Sequence, residues 1–323
     1  MGGPTFRCGP LLVRVEATDS VLQSKLAESL NLYGVIWQGP RRIVELRVAR
    51  TPHRAQLLAG RYLNCARMKV DAIADGLRAS TVSGASAVGC LDVDGDRWRV
   101  SVPEAAVESD SLEDVEDIAM LVLTTGWRRT GRVPVHAAAV TSNGQAVVIC
   151  APTGGGKSTL CASLVARGWR TLGDDKLLLD LGDRPILSAL QDTFNLDPAI
   201  RHWLPEVGDL TALPRYSSWT DKRRVRLADI WPGALELHAE PTKLVELQRD
   251  DGMQGLRLSP LGRNETLALL LRQTVVPGDR ATARQILEGV GRMAARLAGV
   301  RVIVGRDAYA EATTRDELDA FLR

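Results

Sequence analysis

One glycine-rich segment in the middle of the chain constrains its fold more than any other feature. It runs from Ala151 to Thr159, after a predicted strand, Gln145 to Cys150, and it opens a predicted helix, Lys157 to about Arg167. The pattern G-x-x-x-x-G-K-S/T is informative only in that strand–loop–helix context. Glycines let successive backbone N–H groups converge on one anion, and the helix N-terminus adds its own N–H groups and dipole. The sequence therefore predicts a phosphate-binding loop in an α/β fold.

The loop pattern also assigns roles to individual residues. Ala151 stands where the pattern has its first glycine, but three consecutive glycines follow, so a phosphate-binding loop is still expected. Lys157 would supply the cation for the β- and γ-phosphates of a nucleotide, and Ser158 a hydroxyl for Mg²⁺. ATP and Mg²⁺ are the predicted cofactors. The predicted nucleotide-binding residues are Thr153, Gly154, Gly155, Gly156, Lys157, Ser158 and Thr159.

Two acidic residues and one histidine stand at informative distances from Lys157. Asp174 and Asp175 follow it by 17 and 18 residues, after a short predicted strand, and His136 precedes it by 21 residues, at the start of another. One carboxylate of such a pair can hold Mg²⁺ while the other accepts the proton of an attacking hydroxyl. His136 could bond Asp174 or a phosphate and tune the base, or it could be a histidine at a strand edge.

These residues resemble the catalytic domain of the HPr kinase/phosphorylase family. The match covers about residues 130 to 182, with the histidine, the loop and the aspartate pair at similar spacing, and it is weaker from Thr220-Asp221-Lys222 to Glu246. The stretch GGGKSTLCASLVARGWRTLGDD is more similar to divergent HPr-kinase-related kinases, including those that phosphorylate a serine hydroxyl on lasso peptides.

The resemblance implies a P-loop HPr-kinase-like catalytic domain that transfers the γ-phosphoryl group of ATP to a hydroxyl, in particular a serine of a peptide or protein. It implies that Asp174 is the general base, that Ser158 and Asp175 hold Mg²⁺, and that Lys222 joins His136 and Lys157 in catalysis. Lys222 lies in a stretch of net charge +4, Arg215 to Arg226, which could clamp phosphates or an acidic substrate segment, or be a solvated loop.

Two departures from the family pattern limit what the resemblance implies. Thr159 stands where HPr kinases have glutamate, and the stretch Gln191 to Asp197 contains no Glu-x-Arg-Gly. The sequence therefore leaves phosphorylase activity and HPr as the substrate open, while the expectation of kinase chemistry is unaffected. Two alternatives stay open: a kinase of a small-molecule hydroxyl, and a non-catalytic regulatory module that binds a nucleotide.

The length of 323 residues is typical of about two domains. We expect a smaller α+β accessory or substrate-recognition domain over residues 1–105, a connecting helix over 106–130, and the catalytic domain over 131–323. Within the first, the apolar spacing predicts a helix from Ser20 to Leu32, capped by Asp19 or Ser20, and a second from Ala55 to Leu63.

Composition excludes several other classes. The 41 basic and 39 acidic residues leave a charge of only +2, and aromatic residues make up 4%, which argues against a nucleic-acid polymer or an anionic membrane as partner. The five cysteines form no CxxC pair and have no zinc-ligand spacing. No apolar run is long enough for a membrane span, and the first 20 residues do not resemble a signal peptide. We expect a cytoplasmic protein and leave a homo-oligomer open.

Overall fold

In a computed structural model, the residues that can be described are 3–108, 113–216, 220–305 and 312–323. The chain forms two compact units, Met1–Arg132 with Val276–Arg284, and Val133–Val275 with Gln285–Arg323. Residues 106–130, expected as a connector, belong to the first unit, as does the later segment 276–284. Both units mix helices with sheets, so the α/β class predicted from the sequence is confirmed at that level.

The first unit is built on one sheet. Among its described residues, eight strands are ordered β1-β2-β3-β8-β7-β6-β5-β4. Strands β2, β3 and β8 are parallel neighbours and the other pairs are antiparallel. The strands are β1 (Thr5–Cys8), β2 (Leu11–Ala17), β3 (Arg42–Thr51), β4 (Leu63–Asn64), β5 (Met68–Ile73), β6 (Gly76–Thr81), β7 (Ser86–Leu91) and β8 (Gly95–Pro103). The helices are α1 (Ser20–Asn31), α2 (Glu104–Glu108) and α3 (Glu113–Arg129).

One predicted helix of this unit is present and the other is not. Helix α1 begins after Asp19, whose carboxylate accepts the backbone N–H groups of Val21 and Leu22 at 2.9 and 3.1 Å. The prediction of a helix from Ala55 to Leu63 is wrong. The Ala55 N–H donates to a distant carbonyl, that of Gly84, at 2.8 Å, so the segment bonds its neighbours in space rather than its own preceding turn.

The second unit is built around parallel strands. Its described residues include a nine-stranded sheet ordered β12-β10-β11-β17-β14-β13-β9, with β19 added beside β17 and β18 beside β19, and a separate β15–β16 pair. Strands β11, β17 and β19 run parallel. The strands are β9 (Arg132–Val135), β10 (Ala138–Ser142), β11 (Gln145–Cys150), β12 (Arg170–Gly173), β13 (Leu177–Asp180), β14 (Leu187–Ala189), β15 (Thr193–Leu196), β16 (Arg223–Arg226), β17 (His238–Arg249), β18 (Leu256–Pro260) and β19 (Ala298–Val304).

Helix α4 (Lys157–Val165) packs on the end of this sheet formed by β12, β10 and β11. Leu160, Cys161 and Leu164 are buried against a core that includes Ile149 of β11 and Phe194 of β15. The helix therefore starts at the carboxyl end of β11, which fixes the place of the glycine-rich loop. The other helices are α5 (Leu227–Ile230), α6 (Arg263–Arg272), α7 (Arg280–Ala294) and α8 (Ala312–Leu322), with two short 3₁₀ turns, Pro198–His202 and Pro205–Val207.

The Asp319 carboxylate of helix α8 is hydrogen-bonded to residues that follow the end of α4. Asp319 accepts hydrogen bonds from Trp169 Nε1 at 2.6 Å, Arg167 Nε at 3.3 Å and Arg323 Nε at 3.0 Å. Burial alone would raise the pKa of Asp319, but these donors lower it below its ordinary value.

The Asp319→Asn variant is expected to be about 1–2 kcal/mol less stable at neutral pH, because two partly exposed arginines lose an ionised partner. Since the folded pKa is depressed, this stabilisation is present above the unfolded pKa, about 4, and is lost as the pH falls through the folded value. Urea unfolding at pH 7 and at pH 3 measures both effects. A difference between the two proteins that is the same at both pH values would contradict the ionic origin.

Candidate phosphate-binding site

The glycine-rich loop connects β11 to α4, and its backbone needs glycine at specific positions. Gly154 and Gly156 have φ angles of +76° and +91°, which side chains disfavour. A Cβ on Gly155 would lie 2.9 Å from Ala151 Cβ and 3.0 Å from the Pro152 carbonyl oxygen. The predicted strand–loop–helix unit is thus present, and the three glycines are explained by conformation and by close approach.

Lys157 begins α4 and turns back over the loop. Its Nζ donates to the carbonyl oxygen of Ala151 at 3.0 Å, and its side chain is buried. Burial lowers the pKa of Lys157, whereas the nearby Asp175 and Asp174 carboxylates act in the opposite direction. The Ala151 carbonyl takes one of the three donors of the ammonium group. Ala151 itself is buried, so its methyl group, the one departure from the loop pattern, faces the protein interior.

Asp174 follows β12 and is 2% exposed. Its Oδ2 accepts the backbone N–H of Asn195 at 3.0 Å, whereas its Oδ1 has no hydrogen-bond partner among the described residues. Burial and the adjacent Asp175 raise the pKa of Asp174 to about 6, while the Asn195 N–H, the Ser158 side chain and Lys222 partly offset that rise. The structure thus brings Asp174 beside the first turn of α4.

Asp175 has different surroundings, although it is the next residue in the chain. Its Oδ1 lies 3.1 Å from His136 Nε2, and its Oδ2 accepts a hydrogen bond from Lys176 Nζ. Burial alone would raise the pKa of Asp175, but Lys176 and His136 together lower it below its ordinary value. The His136 ring is 47% exposed, and its backbone N–H donates to the Gln273 carbonyl at 2.9 Å. His136 therefore contacts Asp175, whereas the functional interpretation of the sequence gave it Asp174 or a phosphate as partner and the alternative left it at a strand edge.

Lys222 is a member of the basic stretch whose charge acts on both Lys157 and Asp174. It lowers the pKa of each of these residues, which puts its ammonium group within electrostatic range of both. Arg215 instead pairs with Asp221 at 3.4 Å, and Arg226 lies 3.6 Å from Asp192. The local charge of +4 is therefore partly neutralised away from the loop.

Three residues that were not singled out from the sequence also lie near the carboxylate pair. Lys176 bonds Asp175, and adjacency to the pair was a usable signal for it. Tyr216 lies near Lys176, which lowers its pKa, and near both carboxylates, which with burial raise the pKa above its ordinary value. Asn195 bonds Asp174 from a strand 21 positions later, and no local pattern marks it.

A divalent cation such as Mg²⁺ would be held at this site by oxygen ligands. In the described ranges, no three His, Cys, Asp or Glu side chains cluster as a metal site. The oxygens near the loop are instead carboxylate, hydroxyl and amide oxygens, which suit a hard cation such as Mg²⁺ that also keeps waters and phosphate ligands.

Comparison with known proteins yields two similarities. A family model described as "SynChlorMet cassette protein ScmC" matches residues 107–184, a minority of the chain that nonetheless includes His136, the loop and the aspartate pair. A search of curated proteins finds no match. Among solved structures, the HPr(Ser) kinase/phosphatase from Coxiella burnetii is 11% identical and covers 59% of this chain and 93% of its own, with a TM-score of 0.31. A likeness of that size does not establish a shared fold. None of the described helices has the length and apolar character needed to cross a membrane.

Proposed function

We propose that this protein is a kinase that uses ATP and Mg²⁺ to phosphorylate a serine hydroxyl of a peptide or protein. One observation carries the proposal. A glycine-rich loop with a buried lysine at a helix N-terminus lies beside two carboxylates in unequal environments, Asp174 and Asp175. An anion cradle next to such a pair can bind a polyphosphate and manage a hydroxyl proton.

Nucleotide binding would use the loop amides and Lys157, with Thr153 to Thr159 around the phosphates. The helix N-terminus stabilises negative charge there, and Lys157 retains donors beyond the one that bonds Ala151. Lys222 adds a second cation within electrostatic range of the same place. Two lysines beside an anion-binding loop are sufficient to favour a polyphosphate over a singly charged ligand.

The residues near the loop also fit Mg²⁺. The Oδ1 atom of Asp174 is a buried acceptor that has no hydrogen-bond partner in the described part of the chain, and the Ser158 side chain is close enough to lower the pKa of Asp174. A bound Mg²⁺ would neutralise negative charge on the phosphates. Ser158 and one of the two aspartates would hold it.

The acceptor would approach from the side of His136, the most exposed of the proposed catalytic side chains. His136 and Asp175 together form a hydrogen-bonded pair that a hydroxyl arriving from solvent can reach. The choice of serine in a peptide or protein comes from the resemblance to HPr-kinase-related kinases.

The proposal is tested with γ-labelled ATP, Mg²⁺ and two sets of acceptors. One set is a peptide library with a fixed central serine, with the same library carrying alanine as its control; the other contains glycerol, free serine and nucleosides. Label is expected on the serine library alone. Label on the small hydroxyl compounds alone would indicate a small-molecule kinase, and release of inorganic phosphate alone would favour a regulatory nucleotide-binding module. Either result would contradict the proposal.

A further inference from the structure

We infer that Asn195 is a cation-binding residue of this site, and that it holds the divalent ion together with Asp174 and Ser158. The inference rests on the proposed function for the presence of a bound cation. It divides the aspartate pair differently from the family resemblance, which gave the metal to Asp175.

The backbone of Asn195 is hydrogen-bonded to the side chain of Asp174, a residue that is distant in sequence. Its backbone N–H donates to Asp174 Oδ2 at 3.0 Å, although 20 residues separate the two in the chain. Its neighbours on β15, Phe194 and Leu196, are buried in the core beneath α4. Because side chains alternate along a strand, the Asn195 amide lies on the opposite face of β15 from these two.

Asp174 and Asn195 each have a buried side-chain oxygen that makes no hydrogen bond within the described ranges. Asp174 Oδ1 and Asn195 Oδ1 have no partner among the described residues, and the two residues are 2% and 5% exposed. A buried acceptor left without a donor costs about 1–3 kcal/mol, and such groups in native proteins nearly always have a partner. A carboxylate oxygen and an amide oxygen are both ligands that Mg²⁺ accepts. A cation bound there would satisfy both oxygens at once.

Asp175 is less suited to this task. Both of its oxygens are already taken, one by His136 Nε2 and one by Lys176 Nζ. A cation bound to Asp175 would have to share an oxygen with, and lie close to, one of these cationic or proton-donating groups. Asp174, in contrast, offers a free lone pair next to Ser158, the hydroxyl that the loop pattern assigns to the metal.

Lysine is the competing partner for the two oxygens. Lys157 Nζ is bonded to Ala151, but Lys222 is partly exposed and lies within electrostatic range of Asp174. A side-chain movement of Lys222 could satisfy Asp174 Oδ1 and Asn195 Oδ1 without a metal. The experiment therefore has to separate metal binding from a lysine contact.

Mn²⁺ is the probe, and the intensity of its free-ion electron paramagnetic resonance signal reports binding in the presence of a non-hydrolysable ATP analogue, once the Mn²⁺ that the analogue binds without protein is subtracted. We expect Asn195→Ala to weaken Mn²⁺ binding about tenfold, in line with the loss of a supporting metal ligand, and Asp174→Asn to weaken it further. Asn195→Asp keeps an oxygen in place and is expected to bind Mn²⁺ at least as tightly as the wild type. Asp175→Asn, the matched control, is expected to stay within about threefold of the wild type, since its carboxylate is not a ligand.

The inference is overturned if Asn195→Ala binds Mn²⁺ like the wild type, or if Asp175→Asn loses Mn²⁺ and Asp174→Asn keeps it. Unchanged Mn²⁺ binding in Asn195→Ala is also the result that a lysine contact at these two oxygens, in place of a metal, predicts. Should Asn195→Ala fail to fold, Asn195→Asp decides instead: tighter Mn²⁺ binding than in the wild type supports the inference, and weaker binding overturns it. The Mn²⁺ measurement needs no acceptor and no turnover. If the variants show the expected pattern of Mn²⁺ binding but the protein phosphorylates no peptide, the proposed function is contradicted and this inference is not.

Discussion

Replacement of Lys157 with alanine is expected to weaken ATP binding about a hundredfold and to remove phosphoryl transfer. The Lys157 side chain is buried at the N-terminus of α4, and the Ala151 carbonyl accepts only one of the three N–H donors of its ammonium group. Phosphates that bind in the loop would lose hydrogen bonds to water and gain one to this ammonium group. Charge-assisted hydrogen bonds are strong where the surroundings exclude water. Loss of one preorganised donor to an oxyanion lowers catalytic rates by a factor of about 10²–10³, so a rate loss of at least that size is expected here in addition to the loss of affinity.

Isothermal titration with ATP, without and with Mg²⁺, measures the Lys157→Ala effect. Arg184→Ala is the matched control, because it removes an exposed cation of the same unit whose partner, Glu240, is 3.5 Å away. The control is expected to bind ATP like the wild type. Undiminished ATP affinity in Lys157→Ala, with a normal circular dichroism spectrum, would exclude the loop as the phosphate site.

Local sequence signals predicted the parts of the fold that depend on local interactions. The strand, glycine-rich loop and helix around Lys157 are present, because the glycine positions are dictated by backbone conformation and close approach within a few residues. Asp19 was one of the two caps expected for α1, and its carboxylate accepts two N–H groups of the first turn. The helix expected from Ala55 was wrong because its backbone bonds are made to a distant segment, including Gly84.

In the candidate site, too, the residues marked by local spacing were predicted and those that depend on long-range packing were not. Spacing from the loop was enough to select His136, Asp174 and Asp175, which the structure brings close to one another. The pairing of His136 with Asp175 could not be read from spacing, since adjacent residues at a strand end point in different directions. Asn195 could not be found at all, because its bond to Asp174 depends on how β15 lies beside the end of β12.

Asp174→Asn is expected to lower the rate of phosphoryl transfer by about 10²–10⁴, while ATP affinity in the absence of metal stays within about threefold of the wild type. Asparagine has nearly the shape of aspartate, and its side-chain oxygen can still accept the Asn195 N–H that Asp174 Oδ2 accepts at 3.0 Å. The substitution therefore removes a charge and leaves the packing in place. A large loss of rate would follow whether Asp174 accepts the hydroxyl proton or holds the cation, and the Mn²⁺ measurement separates these two roles.

Stability provides an independent check on Asp174. Replacing a residue that has a structural role makes the protein less stable. Asp174 differs from such a residue, because it is a buried carboxylate with one oxygen that makes no hydrogen bond among the described residues. Burying such a charge is unfavourable, so the neutral asparagine is expected to melt at an equal or higher temperature than the wild type in metal-free buffer. A melting temperature several degrees lower, together with a rate loss no larger than the loss of folded protein, would make Asp174 a structural residue. Lost activity with retained or increased stability is the combination expected of a carboxylate that is kept buried for chemistry.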